Sequence, residues 1–301
     1  MTPAPQTQGR RPISPSLYAL GAVLLWSTVA TAFKISLRYQ EPPQLLLVSS
    51  IVSILVLAAA AAGQGKLGML LRCSRGDLLR AAALGMLNPF LYYLVLFEAY
   101  RRLPAQVAQP LNYTWALTLG LLSVPLLGQR LRPGVFIAGV VCHVGVFVIS
   151  THGDPTAFHF ADPFGVALAL GSTVIWALYW IGNTRSSLDP VLGLLLNFLF
   201  GLPLVAVACV LLSGPPVLSV EALASAAYVG VFEMGIAFIL WLKALKLADS
   251  AASVGNFIFI SPVLSLLLIH FVLGEPIVVS TWIGLPLIVM GLLIQGTSKR
   301  G

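Results

Sequence analysis

Gly21-Ala22-Val23-Leu24-Leu25-Trp26 returns 150 residues on as Gly171-Ser172-Thr173-Val174-Ile175-Trp176, with its Gly and Trp in the same places. The echo continues in the same order. Gly85 and Asn88 are matched by Gly230 and Glu233. Ala99-Tyr100-Arg101-Arg102 is matched by Ala244-Leu245-Lys246-Leu247, and Leu127-Gly128-Gln129 by Leu273-Gly274-Glu275. A chain made twice from one unit has two similar halves, which predicts a site between them.

The medium around those halves follows from composition. The 301 residues are 58% hydrophobic and only 9% charged, with a mean hydropathy of +0.94. Soluble domains carry roughly a quarter charged residues, so water is not the main solvent. Ten apolar runs recur, near 16–36, 43–62, 78–98, 105–127, 134–150, 163–182, 190–213, 221–243, 250–273 and 277–296. Each is long enough to approach or cross a hydrocarbon core of about 30 Å. Backbone groups in lipid must bond internally, and these runs are too continuous for barrel strands. The expected fold is an all-α membrane protein with ten transmembrane helices. Residues 1–15 read as a disordered cytosolic tail, 16–151 as the first half and 152–162 as an external connector. The second half spans 163–296, followed by a cytosolic tail at 297–301. Cys73, Cys142 and Cys209 show neither pairing nor metal spacing.

A net charge of +7 raises the possibility of a nucleic-acid partner, but the placement of the charge argues against one. With the N-terminus in the cytosol, only Lys34, Arg38, Arg101 and Arg102 of the 17 basic residues face out. That asymmetry is the orientation signal of a multi-pass membrane protein, and it puts both termini in the cytosol. Five spans per half is an odd number, so the second half enters from the opposite side. The two five-helix repeats are therefore expected to have inverted topology, related by an axis in the membrane plane. Two such bundles can exchange outward-open and inward-open states of similar energy, which is the basis of alternating access.

Several stretches carry a family resemblance. The paired Trp26 and Trp176 combine with Ser261-Pro262-Val263-Leu264 leading to Leu273-Gly274-Glu275, and with Gly291-Leu292-Leu293 in the last run. With these the chain resembles the drug/metabolite transporter superfamily, in its ten-helix branch with two EamA-type domains. The first half departs from the pattern: Leu117 stands where the Pro would fall, and Gln129 replaces the acid. Leu111-Asn112-Tyr113-Thr114-Trp115 further resembles the fourth helix of bacterial aromatic amino-acid exporters. The resemblance implies export of amino acids across the bacterial inner membrane. It also implies a pathway lined by spans 1, 3, 4, 6, 8 and 9, with 5 and 10 peripheral.

Polar and aromatic residues inside the spans are the candidates for substrate contact. Asn88 lies mid-span with Tyr92 one turn on, and faces either the pathway or a neighbouring helix as glue. Glu233 is the one carboxylate well inside a span. At that depth it costs about 2.5–3.5 kcal/mol on insertion scales, so it should face the interior, be neutral or pair. It suits a substrate ammonium or a coupling proton; the structural alternative is an acid bonded to a neighbouring carbonyl. Trp176, Tyr179 and Trp180 share one face, and Trp26 matches Trp176. Asn112, Tyr113 and Trp115 cluster in the fourth span, and Asn256 repeats the Asn112 position in the ninth. Turned inward, these rings and amides form a pocket for flat or apolar side chains; turned outward, the rings are interface anchors. Pro110 and Gly255, matched across the repeat, are candidate hinges.

Other chemistry finds little support. His152, Asp154, His159 and Asp162 sit in a polar connector and read as solvated, so no metal is expected. No phosphate loop and no nucleophile–base pair is visible, so neither catalytic residues nor a cofactor is expected. The partners are then a small-molecule substrate and the bilayer. Monomer and homodimer both remain open. The alternatives are a multidrug or sugar-nucleotide carrier of the same fold, a membrane-embedded transferase, or a lipid-moving protein.

Overall fold

A computed structural model describes residues 14–130, 132–151, 162–274 and 279–298. The first thirteen residues, the connector with His152, Asp154 and His159, and Glu275 lie outside the described residues. Ten helices follow in order: α1 (Pro15–Ser36), α2 (Pro42–Gly63), α3 (Arg75–Arg102), α4 (105–127), α5 (Pro133–Ser150), α6 (Pro163–Thr184), α7 (Pro190–Leu212), α8 (Val220–Leu247), α9 (Ala251–Leu273) and α10 (Thr281–Ser298). Among the described residues seven are long and apolar enough to cross a membrane, and α4, α5 and α10 supply three shorter apolar stretches. This is an all-helical membrane protein built as two five-helix repeats of inverted topology.

Local chemistry sets the helix ends. Proline opens α1, α2, α6 and α7, where its missing N–H breaks no helical bond. Ser14, Asp162, Asp189 and Ser219 accept backbone N–H groups of the first turn. Gly128 and Gly274 close α4 and α9 in left-handed conformation, at φ 66° and 74°. They are equivalents across the repeat, and glycine alone takes that cap without a Cβ penalty.

The repeat is visible in the packing. At Gly85, α3 crosses α7 so closely that a Cβ would lie 2.3 Å from the Asn197 carbonyl oxygen. At the equivalent Gly230, α8 crosses α2, and a Cβ would lie 2.5 Å from the Ser49 carbonyl oxygen. Each half thus lends its second helix to the partner's third. Helices α5 and α10 pack on each other through small residues, Gly145 against the Gly284 backbone and Gly291 against Ala138.

The helices divide into unbroken and interrupted ones. Helices α2, α5, α6, α7 and α10 run without a break. By contrast α1 breaks at Ser27–Thr28, α3 at Asn88 (φ −152°, ψ 125°), and α4 at Thr114. Helix α8 widens to a π-turn over Val229–Ile236, and α9 tightens to a 3₁₀ turn over Asn256–Ile260. The expected hinges are close to these points. Gly255 ends the first segment of α9, whereas α4 breaks one turn after Pro110, which sits inside the segment Ala105–Tyr113. Thr114 turns the backbone there, its hydroxyl donating to the Leu111 carbonyl at 2.8 Å.

Candidate functional site

All five interruptions surround one buried cluster. Its cavity measures about 20 Å³ and is lined by Trp26, Val29 and Phe33 of α1, Tyr92, Leu96 and Tyr100 of α3, and Asn112, Tyr113 and Trp115 of α4. Trp176 of α6, Glu233 of α8 and Ile258 of α9 complete it. Among the described residues, α2, α5, α7 and α10 supply no wall. Seven of the ten predicted contact residues meet here: Trp26, Tyr92, Asn112, Tyr113, Trp115, Trp176 and Glu233.

The rings interlock. Trp26, Trp115 and Trp176 touch pairwise at 5.9–6.3 Å between centroids, edge to face. Tyr92 stacks on Trp176 at 4.1 Å and 26°. Trp26 and Trp176 are also equivalents in the repeat, as are Tyr93 and Phe238, which stack at 6.5 Å and 17°. Equivalent residues can touch only near the axis relating them. The cage therefore sits on the pseudo-twofold axis, where the two halves present the same face to one another.

Backbone groups freed by the interruptions are taken up around the cage. The π-turn of α8 leaves the carbonyls of Glu233 and Met234 accessible; Trp26 Nε1 donates to the first at 3.4 Å and Ser53 Oγ to the second at 3.0 Å. At the break of α1, Tyr113 Oη donates to the Trp26 carbonyl and Ser265 Oγ to the Ser27 carbonyl. Asn112 Nδ2 donates to Ser172 Oγ at 2.9 Å and lies 3.4 Å from Tyr92 Oη, tying α4 to α6 and α3.

Glu233 is the one carboxylate in the cage wall. Its side chain is buried, and Oε1 accepts from Tyr93 Oη at 2.9 Å. Among the described residues Oε2 has no hydrogen-bond partner, and the indole N–H of Trp176, another residue of the cavity wall, has none either. A buried polar atom left open costs roughly 1–3 kcal/mol, so these two groups mark a place suited to a ligand.

Three predicted residues lie elsewhere. Asn88 is fully buried at the kink of α3, beside the crossing with α7, and does not line the cavity. Tyr179 stands behind Trp176, its ring 6.3 Å away and its hydroxyl accepting from Asn197 Nδ2 at 3.3 Å. Asn256 turns to α5, donating to the Val135 carbonyl at 3.3 Å. Residues absent from the sequence reading fill in. Trp241 closes the cluster 5.1 Å from Trp26 and 5.3 Å from Trp115, and Tyr93 holds Glu233. Trp241 was legible two turns past Glu233, at i+8 on one face. Tyr93 was not, because counting i+4 from Asn88 assumes a regular helix, and the π-turn over Met86–Leu91 advances the register by one.

Two larger spaces flank the cage. A vestibule of about 260 Å³ opens at the end bearing Lys34, Arg38 and Arg101, and Tyr100 forms part of both its wall and the cage's. An apolar groove of about 270 Å³ lies between α1, α8 and α9, lined by Thr28, Thr31, Ala32, Ile35, Ser225, Tyr228 and Leu268. At the Lys246 end the helices close tightly, α1 on α8 and α4 on α9.

Comparison with known proteins adds an independent line. Residues 13–151 and 163–297 each match the EamA-like transporter family. A protein of Ancylobacter novellus named aromatic amino acid exporter YddG is 30% identical over 267 residues, 85% of this chain and 88% of that one. An uncharacterized transporter of Clostridium kluyveri is 24% identical over 268 residues, 86% of this chain and 85% of that one. A solved crystal structure superposes with a TM-score of 0.76 at 26% identity, covering 95% of this chain and 98% of that one.

Proposed function

This chain belongs to the EamA-like transporter family, and on that premise we propose that it exports aromatic and other neutral amino acids, or similar small metabolites, by alternating access. The family and the names of its relatives point to a transporter of small molecules rather than an enzyme. The finer reading has both termini in the cytosol of a bacterial cell and the ten helices in its inner membrane. The basic-residue asymmetry supports that orientation. The two matched segments support halves at 16–151 and 163–296.

The single observation that carries the substrate class is an aromatic cage with one carboxylate whose Oε2 is left open. Trp26, Trp115, Trp176 and Tyr92 take a flat or apolar side chain by stacking. Glu233 Oε2 receives an ammonium, and Asn112 with the Tyr92 hydroxyl meets a carboxylate. The cage as it stands holds about one water, so an amino acid enters only when the rings part.

One segment is suited to part them. Val29–Ser36 of α1 turns Val29 and Phe33 into the cage, Lys34 to the vestibule, and Thr31, Ala32 and Ile35 to the apolar groove. Moving it into the groove enlarges the cage and joins it to the vestibule. Pivoting at Ser27–Thr28 uses a break the helix already has, and it requires Lys34 to release the Tyr100 and Leu103 carbonyls.

Counterflow of radiolabelled amino acids in proteoliposomes tests this reading. Aromatic and other neutral amino acids should exchange, and Glu233→Gln should slow exchange about tenfold or more, as expected for a lost charge-assisted contact. Exchange of none of them would remove the substrate class. An unimpaired variant would remove the role of the carboxylate.

A further inference from the structure

The link between α2 and α3 is a short 3₁₀ helix, Leu67–Arg72, that turns its apolar side chains away from the protein. Leu71 is 93% exposed and Met69 48%, while Leu70 alone packs back against the core. Around it stand Arg72, Arg75, Arg80 and Arg185, all exposed. Arg80 reaches toward the end of α6, its Nη1 donating to the Arg185 carbonyl at 3.4 Å.

Countercharge is scarce at this face. Lys66 is already matched by Asp189 at 2.6 Å, and Asp77 is engaged in capping α3 through Ser74. Among the described residues no carboxylate lies within salt-bridge distance of Arg72, Arg75, Arg80 or Arg185. Both flanking helices enter the membrane, so this link is held at the lipid–water boundary, where leucine has an apolar medium and arginine meets phosphate.

We infer that this face is a binding site for anionic phospholipids, with Met69 and Leu71 dipping among the acyl chains and the arginines holding the headgroup phosphate. Each part of the match is physical. Leu67, Met69 and Leu71 are exposed together on this one short helix and make an apolar patch that acyl chains can cover. Guanidinium groups pair with phosphate oxygens in bidentate fashion. A zwitterionic lipid offers the same acyl chains but no net charge, so the discrimination rests on the arginines.

Native mass spectrometry of the full chain in detergent, with added phosphatidylglycerol or phosphatidylcholine, tests the inference. The native protein should retain phosphatidylglycerol preferentially. The triple variant Arg72→Gln, Arg75→Gln, Arg185→Gln should lose that preference by tenfold or more, while the corresponding Lys variants keep most of it. Leu71→Ser should weaken retention of both lipids. Size-exclusion profiles that match the native protein exclude misfolding as the cause. Equal retention of the two lipids by native protein, or an undiminished preference in the Gln variant, would overturn the inference. Displacement of the lipid by millimolar inorganic phosphate would overturn it as well, leaving a bare phosphate site.

Discussion

Asn88 and Glu233 hold the same place in the two halves, yet their surroundings differ. Glu233 faces the cage with Tyr93 on one oxygen, whereas Asn88 lies against α7, away from the cavity. The difference traces to the backbone: both helices widen to a π-turn here, but that of α3 also kinks at Asn88, which leaves helical dihedrals. The glycines of the repeat divide in the same way. Gly85→Ala and Gly230→Ala drive a Cβ into backbone of another helix, which cannot yield, and should each lower stability by roughly 1–3 kcal/mol. Gly171→Ala, with open space around it, should leave thermal stability unchanged. Thermal unfolding in detergent that ranked the three alike would contradict the crossings. A repeated glycine in the sequence therefore marks kinship, and only its contacts tell whether it is needed.

Among the elements, Val29–Ser36 is the one that borders the cage, the groove and, through Lys34, the vestibule. Filling the groove should hold it in place. Ala32→Phe is expected to cut counterflow about tenfold or more while leaving the unfolding temperature unchanged or higher, because the added ring occupies space the segment needs. Native transport rates in that variant would exclude this segment as the gate. The ten spans were legible from hydropathy, with ends within a few residues, because a bilayer demands apolar length and little else. The breaks were less legible. That of α1 persists because Tyr113 and Ser265, from α4 and α9, donate to the freed carbonyls of Trp26 and Ser27. No local pattern in α1 announces partners on other helices.

At the scale of the molecule, each half ties its first helix to its third. Lys34 Nζ donates to the Tyr100 and Leu103 carbonyls at 2.7 Å, joining α1 to α3 at one end. Lys246 Nζ donates to the Ser186 and Leu188 carbonyls at 2.8 Å, joining α8 to the link that follows α6 at the other. Equivalent pairs are thus fastened at opposite ends, as an inverted repeat requires. At the Lys246 end a further link, Lys66 with Asp189, joins α2 to the start of α7. Burial works against the charge of Asp189. The bond and charge of Lys66, with two helix N–H groups, outweigh it and hold the carboxyl below its ordinary range. A depressed carboxylate contributes its full stability above its unfolded pKa and loses it as pH falls through the folded value. Asp189→Asn should therefore lower the unfolding temperature at neutral pH, by roughly 0.5–1 kcal/mol of stability. The difference from native protein should shrink as pH falls from the usual aspartate value down through the lowered folded one. An equal deficit at every pH would show that the charge is not what matters.

Sequence alone determined the class, the number of spans, the repeat and its inversion, because lipid imposes apolar length and an odd number of spans per unit imposes opposite entry. It also named most of the cage, since rings and polar groups in hydrocarbon have few places to go. Tertiary structure decided which of them meet. One residue of extra turn in α3 brought Tyr93 to Glu233, and helix crossings carried Asn88 and Asn256 away from the cavity. Those outcomes depend on contacts between segments far apart in the chain, which no periodicity within a single helix encodes.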